Sequence, residues 1–337
     1  FASPRLVSVS LKGLLGGHSG ADIGEGRANA VRCGAVLADR VLAALGPAHV
    51  RLASFRGGDK RNAIARECFL SFLVDGGDVP REGCRGCEAC APPRPASERQ
   101  SCVRRFRDVV EECQEAFLAE FGQREAELKL RIESERSLDG SRGEAALTPG
   151  SADRLLALLL GIPHGPVKYS HAVPGLVETS SNLAAARDLA AAPPHVRGPD
   201  GKPPPARYEL VCATRSTLLP ALEAVRASIR RLGLLCGASV LQKAAYPGWV
   251  PEPDAPVVQA AAQAVQAVTG RKPELKAIHA GLECGVLAEK NPGTKCVSFG
   301  PTILGAHSPD ERILVETVEP FYKATLGLME RLAQIRA

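Results

Sequence analysis

The chain has 337 residues, of which 45% are hydrophobic and 23% are charged, which is the composition of a globular protein of about two domains. Its net charge of +5 is spread along the chain, and no basic run contains interleaved aromatic residues. Nucleic-acid binding is therefore not indicated. The longest apolar stretch, residues 155–162, is too short to span a bilayer, so no membrane association is predicted.

The start of the chain and its cysteines bear on processing and compartment. The first residue is Phe1, the only methionine is Met329, and no signal-peptide pattern is visible. We therefore expect a fragment, a processed chain or an incomplete gene model. Most of the eleven cysteines stand singly in apolar surroundings, which predicts free buried thiols in a reducing, cytoplasmic compartment.

The first 244 residues alternate strand-like and helix-like patterns. Period-two alternation predicts strands, and apolar residues at helical spacing predict helices. The predicted strands are 5–12, 49–58, 61–74, 175–188, 206–216 and 238–246, and the predicted helices are 25–45, 103–137, 151–162 and 217–237. Residues 76–102, rich in Pro, Gly, Cys and Arg, are predicted to form an irregular insertion.

Four prolines in residues 247–256 mark a boundary, beyond which the pattern changes. The predicted order is a helix, a strand, a helix, a strand and a helix, over residues 257–269, 274–279, 281–290, 295–301 and 316–335. This βαβα order is typical of a parallel or mixed sheet. Two strands are few for an independent sheet, so we expect this segment to belong to a larger α/β domain.

Two loops after the predicted strands of this last segment carry imidazole, carboxylate and glycine. They contain His279 with Glu283, and His307. Functional residues gather at the carboxyl ends of strands, so these side chains would form a zinc or substrate site if the strands are neighbours. The alternative is a histidine bonded to a backbone carbonyl and a glutamate that caps the following helix.

Three polar residues of the first 244 are further candidates. His18 lies in "GGHSG", where open backbone N–H groups suit a close ligand, although a flexible turn with an incidental histidine explains it equally well. Asn62 and Arg215 are polar residues in strand-like runs. An arginine in such a place can clamp a carboxylate, or it can simply pair with an acid at the strand edge.

Cysteines 84, 87 and 90 have the two-residue gaps of zinc or cluster ligands. No second Cys-x-x-Cys pair follows, so an insertion with reactive thiols is the alternative. The motifs of Ser-His-Asp hydrolases, P-loop proteins and dinucleotide-binding proteins are absent.

Six stretches, in this order along the chain, resemble the M20 metallopeptidases, and among them the members that cleave aminoacyl-histidine and other dipeptides. The stretches are "VSVSLKGLLGGHSGADIGEGRANA", "RNAIARECF", "VETSSNLA", "AAYPGWVPEPDAPV", "AIHAGLECGVL" and "SFGPTILGAHSPDE". The resemblance implies an α/β fold in which residues 1–244 form a lid or dimerisation-type domain, a sheet flanked by helices. Residues 245–337 would be the C-terminal part of the catalytic domain.

The family's chemistry is dipeptide hydrolysis by water that two zinc ions and a glutamate base activate. By resemblance, His307 is a zinc ligand and His18 stabilises the developing oxyanion. Asn62 and Arg215 hold the substrate's carboxylate and carbonyl end, and Gly281 and Glu283 shape the substrate pocket.

The resemblance also implies a possible homodimer through the lid, and it leaves open whether His18 serves its own subunit or a partner. The N-terminal segment that carries the other zinc ligands and the general base in the family is not found in this sequence. We therefore expect an incomplete chain that is inactive alone. The alternative is a non-enzymatic lid-type dimerisation or interaction module.

Overall fold

The computed structural model describes the chain except residues 2, 81–98, 139–144, 172–174, 190–207, 246–247, 250–251, 276–282, 305–310 and 335–337. Its seven α-helices in the described residues are α1 Ala30–Leu45, α2 Cys102–Phe121, α3 Pro149–Gly161, α4 Leu219–Leu235, α5 Pro256–Thr269, α6 Glu283–Lys290 and α7 Val318–Gln334. The strands are β1 Arg5–Lys12, β2 Gly17–His18, β3 Val50–Gly58, β4 Ala63–Ile64, β5 Cys68–Val74, β6 Asp78–Pro80, β7 Arg99–Ser101, β8 Lys129–Ser137, β9 Gly165–Tyr169, β10 Val177–Asp188, β11 Tyr208–Ser216, β12 Ile303–Leu304 and β13 Arg312–Ile313.

The described residues divide into two compact units. The first comprises residues 1–167, 180–214 and 224–241, and the second comprises residues 168–179, 215–223 and 242–337. This observation does not test the predicted domain boundary at residue 244, which stays a prediction.

A seven-stranded sheet has the order β11-β10-β3-β5-β1-β8, with β9 paired to β10. Apolar and polar residues alternate along β1, so one face of the strand carries Val7, Val9 and Leu11, which are buried. β1 pairs antiparallel with β5 on one side and with β8 on the other. β1 is therefore an interior strand, and the charged strand β8 lies at the edge of the sheet.

Helices α1, α2 and α3 cover this sheet, and each begins at a residue that caps it. The side chains of Asn29, Ser101 and Thr148 accept the backbone N–H of the third residue after them. The core of the first unit lies between helices and sheet, and it includes Val7, Val9, Leu11, Val31, Leu37, Val41, Leu52, Phe55, Leu70, Phe72, Phe106, Val109, Leu155 and Leu159.

The second unit has a smaller core, in which α5 packs against α7. Its buried cluster in the described residues consists of Ala260, Ala261, Ala264 and Leu328, with Val297 and Phe299 packed against it. The short strands β12 and β13 pair antiparallel, and His307 lies in the segment between them, outside the described residues.

Several predicted elements are wrong. Residues 129–137 form β8 and not the end of a helix, because α2 ends at Phe121 and these residues pair with β1. Residues 238–245 form no strand, because the turn after α4 leads into an exposed segment. Residues 295–301 join no strand among the described residues, since Val297 and Phe299 pack against helices.

The insertion over 76–102 has a structured base. β6 and β7 pair antiparallel at its two ends, while the predicted thiol ligands at 84, 87 and 90 lie outside the described residues.

The prediction of free buried thiols is confirmed at Cys33 and Cys68. Burial raises the pKa of Cys33 to about 12, so this thiol stays protonated near neutral pH. In the part of the chain that the structure describes, no helix is long and apolar enough to cross a membrane.

Candidate functional site

The candidate site is built around the loop of residues 15–28, which carries His18. Part of this loop forms β2, which pairs antiparallel with β4, so that His18 lies opposite Ala63. Gly17 has a positive φ of 132°, and a Cβ there would collide with the Arg27 guanidinium and the Asp22 carboxylate. The backbone conformation at this position favours glycine, and a larger residue would also displace the Arg27 and Asp22 side chains.

The His18 imidazole is held by the backbone that follows it. Its Nδ1 accepts the N–H groups of Ala21 at 3.0 Å and Gly20 at 3.3 Å. A ring nitrogen that accepts hydrogen bonds carries no proton, so the proton of the neutral ring resides on Nε2. The half-buried ring therefore carries its proton on Nε2, and the two hydrogen bonds at Nδ1 favour a held imidazole over the flexible turn of the alternative interpretation.

An ion-pair network holds the loop in this shape. The backbone N–H of His18 donates to Asp22 Oδ2 at 2.7 Å, and Asp22 pairs with Arg27 at 3.2 Å. Arg27 also donates to the carbonyl of Gly16 at 2.7 Å and pairs with Glu25 at 2.8 Å. Charge-assisted bonds of this kind are stronger than neutral ones, so they stabilise the turn that carries His18.

Asn62 lies in the turn that precedes β4, beside the His18 loop. Its carbonyl accepts the N–H of Ser19 at 2.9 Å. The prediction that residues 61–74 form one continuous strand is wrong. The chain turns at residues 61–62, and residues 65–67, between β4 and β5, are not part of a strand. The turn and the short β2–β4 ladder bring Asn62 and His18 into one small substructure.

Two buried polar residues support this substructure, and the sequence analysis missed both. Glu125, 1% exposed, accepts the N–H of Leu15 at 2.7 Å and of Ala28 at 3.0 Å. Asn182, fully buried in β10, donates to the carbonyl of Ala63 at 2.8 Å and of Arg61 at 3.4 Å. Glu125 lies within residues 103–137, which were predicted as a single helix, so only the tertiary structure reveals its burial.

The remaining candidates are less fully described. Arg215 lies near the end of β11 and is half-buried, and Glu283 is exposed at the first position of α6. Both belong to the second unit, whereas His18 and Asn62 belong to the first. His279, Gly281 and His307 lie outside the described residues. The roles assigned to all of these residues stay predictions.

Within the described ranges, no group of three or more His, Cys, Asp and Glu side chains could hold a metal ion. The described residues therefore do not fit the two-zinc site that the family resemblance implies. The predicted zinc ligand, His307, is outside these ranges.

Comparisons with known proteins agree with the resemblance. The model of peptidase family M20/M25/M40 matches residues 20–331. The cytosol non-specific dipeptidase of Escherichia coli (strain K12) is 32% identical over 327 residues, which are 96% of this chain and 57% of that protein. The chain thus spans 57% of the length of this curated relative.

A solved structure has the same fold. The crystal structure of the aminoacylhistidine dipeptidase from Vibrio alginolyticus matches with a TM-score of 0.72 and 29% identity, over 98% of this chain and 58% of that one. This likeness confirms the predicted α/β fold, while the arrangement of a lid with part of a catalytic domain stays a prediction. The prediction of a missing N-terminal part is not supported by the family match. The chain belongs to peptidase family M20/M25/M40.

Proposed function

We propose that this chain hydrolyses dipeptides, including Xaa-His dipeptides, the substrates for which its relatives are named. The observation that carries this proposal is the held state of His18, whose Nδ1 accepts two backbone N–H groups and whose proton therefore lies on Nε2. A preorganised N–H donor stabilises the oxyanion that develops on a scissile carbonyl.

The other candidate residues keep the roles that the family resemblance implies. Asn62, whose backbone carbonyl accepts a hydrogen bond from the N–H of Ser19, binds the substrate beside His18. Arg215 binds the substrate carboxylate through two parallel hydrogen bonds. Gly281 and Glu283 shape the pocket. We assign a zinc-ligand role to His307 alone, since the described residues do not include a set that fits two zinc ions.

The proposal is tested by assaying the purified chain with an Ala-His dipeptide in the presence of added Zn²⁺. We expect His18→Ala to lower kcat by roughly 100- to 1000-fold, the usual cost of losing an oxyanion donor. His171→Ala, at an exposed histidine outside the loop, is the matched control and should leave kcat unchanged.

Two results would contradict the proposal. One is a His18→Ala variant as active as the wild type. The other is no turnover by the wild type with Zn²⁺, which would agree with the expectation of an inactive chain. That expectation is not supported by the family match over residues 20–331.

A further inference from the structure

The loop that carries His18 is closed at both ends by one buried carboxylate. Glu125 lies in the connection between α2 and β8, and its two oxygens accept the N–H groups of Leu15 and Ala28. These residues are the first and last of the loop. One side chain therefore sets the distance between the two points where the loop leaves the core.

The turn that carries Asn62 is held by a second residue, which lies about 120 positions later in the chain. Asn182 of β10 donates from Nδ2 to the carbonyls of Arg61 and Ala63, the residues on either side of Asn62. Among the described residues, its buried Oδ1 has no hydrogen-bond partner. Within the described part of the chain, the hydrogen bonds of this side chain therefore all go to the Asn62 turn.

The loop and the turn are joined directly to each other. Ser19 donates its N–H to the carbonyl of Asn62 at 2.9 Å, and β2 pairs with β4. A shift of either segment is therefore transmitted to the other. Burying a carboxylate and an amide away from water is costly, and here the two side chains form hydrogen bonds to the backbone around His18 and Asn62.

We propose that Glu125 and Asn182 are positioning residues that fix His18 relative to Asn62, Glu125 by closing the His18 loop and Asn182 by holding the Asn62 turn. This inference rests on the proposed function for its kinetic consequence only. Misplacement of a catalytic group by about 1 Å costs on the order of 100-fold in rate, so small displacements here matter.

The test uses the full chain and two variants. Asn182→Leu keeps the size of the side chain and removes the Nδ2 donor. Glu125→Gln replaces one accepting oxygen by an NH₂ group that faces a backbone N–H. Ser181→Ala is the matched control, because Ser181 is the fully buried neighbour of Asn182 in β10 and its Oγ has no hydrogen-bond partner in the ranges that the structure describes.

The first readout is independent of activity. In ¹⁵N NMR spectra of the His18 ring, the wild type should show one tautomer, with Nδ1 unprotonated and Nε2 protonated. Both test variants should show averaged ring signals and at least tenfold faster hydrogen exchange at the Ser19 amide. Ser181→Ala should match the wild type. A residue that only stabilises the fold would lower the urea midpoint without changing the tautomer.

The second readout is kcat/KM for the Ala-His dipeptide, which should fall roughly 10- to 100-fold in the test variants and stay within twofold in the control. Unchanged ring signals and unchanged Ser19 exchange in Asn182→Leu would overturn the inference, whatever the activity. Altered ring signals in a chain without dipeptidase activity would support the positioning role and refute only the proposed function. If Glu125→Gln does not fold, Asn182→Leu decides the outcome.

Discussion

The two units of this chain differ in how they bury apolar residues. In the first unit, a wide sheet and three helices enclose a continuous core, and even polar side chains such as Asn182 are buried in it. In the second unit, the buried cluster in the described residues is three alanines and one leucine. Helix α7 of that unit leaves Tyr322 and Met329 more than 60% exposed.

This difference in packing indicates which parts of the molecule can hold side chains in fixed positions. Burial of an apolar side chain contributes about 1.5–3 kcal/mol, so a unit with a small core gains little free energy to oppose its conformational entropy. The His18 loop belongs to the better-packed first unit, where buried polar residues form hydrogen bonds that hold it. We expect the second unit to open more readily, and three measurements can break or sharpen this comparison.

The largest effect is expected from a cavity in the first core. Phe72 is fully buried and meets Phe106 edge to face with ring centroids 5.2 Å apart. Phe72→Ala should lower the free energy of unfolding by about 3–5 kcal/mol, measured by urea denaturation. Tyr322→Ala is the control, since this ring of the second unit is 62% exposed and its loss should cost less than about 1 kcal/mol. Equal costs would contradict the comparison.

A smaller effect is expected from acid, through a histidine at the junction of α1, α3 and β10. His164 Nδ1 lies 3.3 Å from the Asn29 amide, which also donates to the carbonyl of Leu183. Burial, and next the charge of Arg32, lower the pKa of His164 from 6.5 to about 4. Neutral His164 is therefore the form that the folded chain accommodates.

Because the unfolded chain binds this proton at a higher pH than the folded chain, stability should fall as the pH drops from about 6.5 to about 4. The loss should reach about 2–3 kcal/mol, measured from urea midpoints across this range. His164→Gln should lose less stability than the wild type over the same pH interval. An identical pH dependence in the two proteins would show that His164 does not contribute.

The smallest effect concerns local opening. Amides of α5 and α7 should exchange with deuterium at least tenfold faster than amides of α1, a difference of about 1.4 kcal/mol in opening free energy. Mass spectrometry of peptic peptides measures this rate. Helix α2, which also packs on the first core, serves as the internal control and should exchange like α1. Similar exchange in all four helices would remove the distinction between the units.

Much of the fold followed from periodicity. The strand at residues 5–12 and the helices near residues 30–45, 149–161, 219–235, 256–269 and 318–334 were predicted to within a few residues. These segments have one face that must be buried, and the spacing of apolar residues shows that face directly. The start of α1 was placed too early, because the His18 loop and its cap at Asn29 precede the helix.

Segments whose pairing partner is distant in sequence were predicted less well. Residues 129–137 carry charges at spacings that also suit a helix, and only their pairing with β1 makes them a strand. The apolar residues Val297 and Phe299 alternate like a strand but pack on helices. Local propensity is a weak signal in such segments, and tertiary contacts decide the outcome.

For the candidate site, the sequence by itself determined the residue types, the glycines around His18 and the family resemblance. The tertiary structure decided that His18 and Asn62 lie in one substructure and that its supports are Glu125 and Asn182. No sequence pattern could show this, because the supporting hydrogen bonds join residues about 100 positions apart. Whether a charged or polar side chain is solvated or buried depends on what packs over it, and only the folded chain determines that.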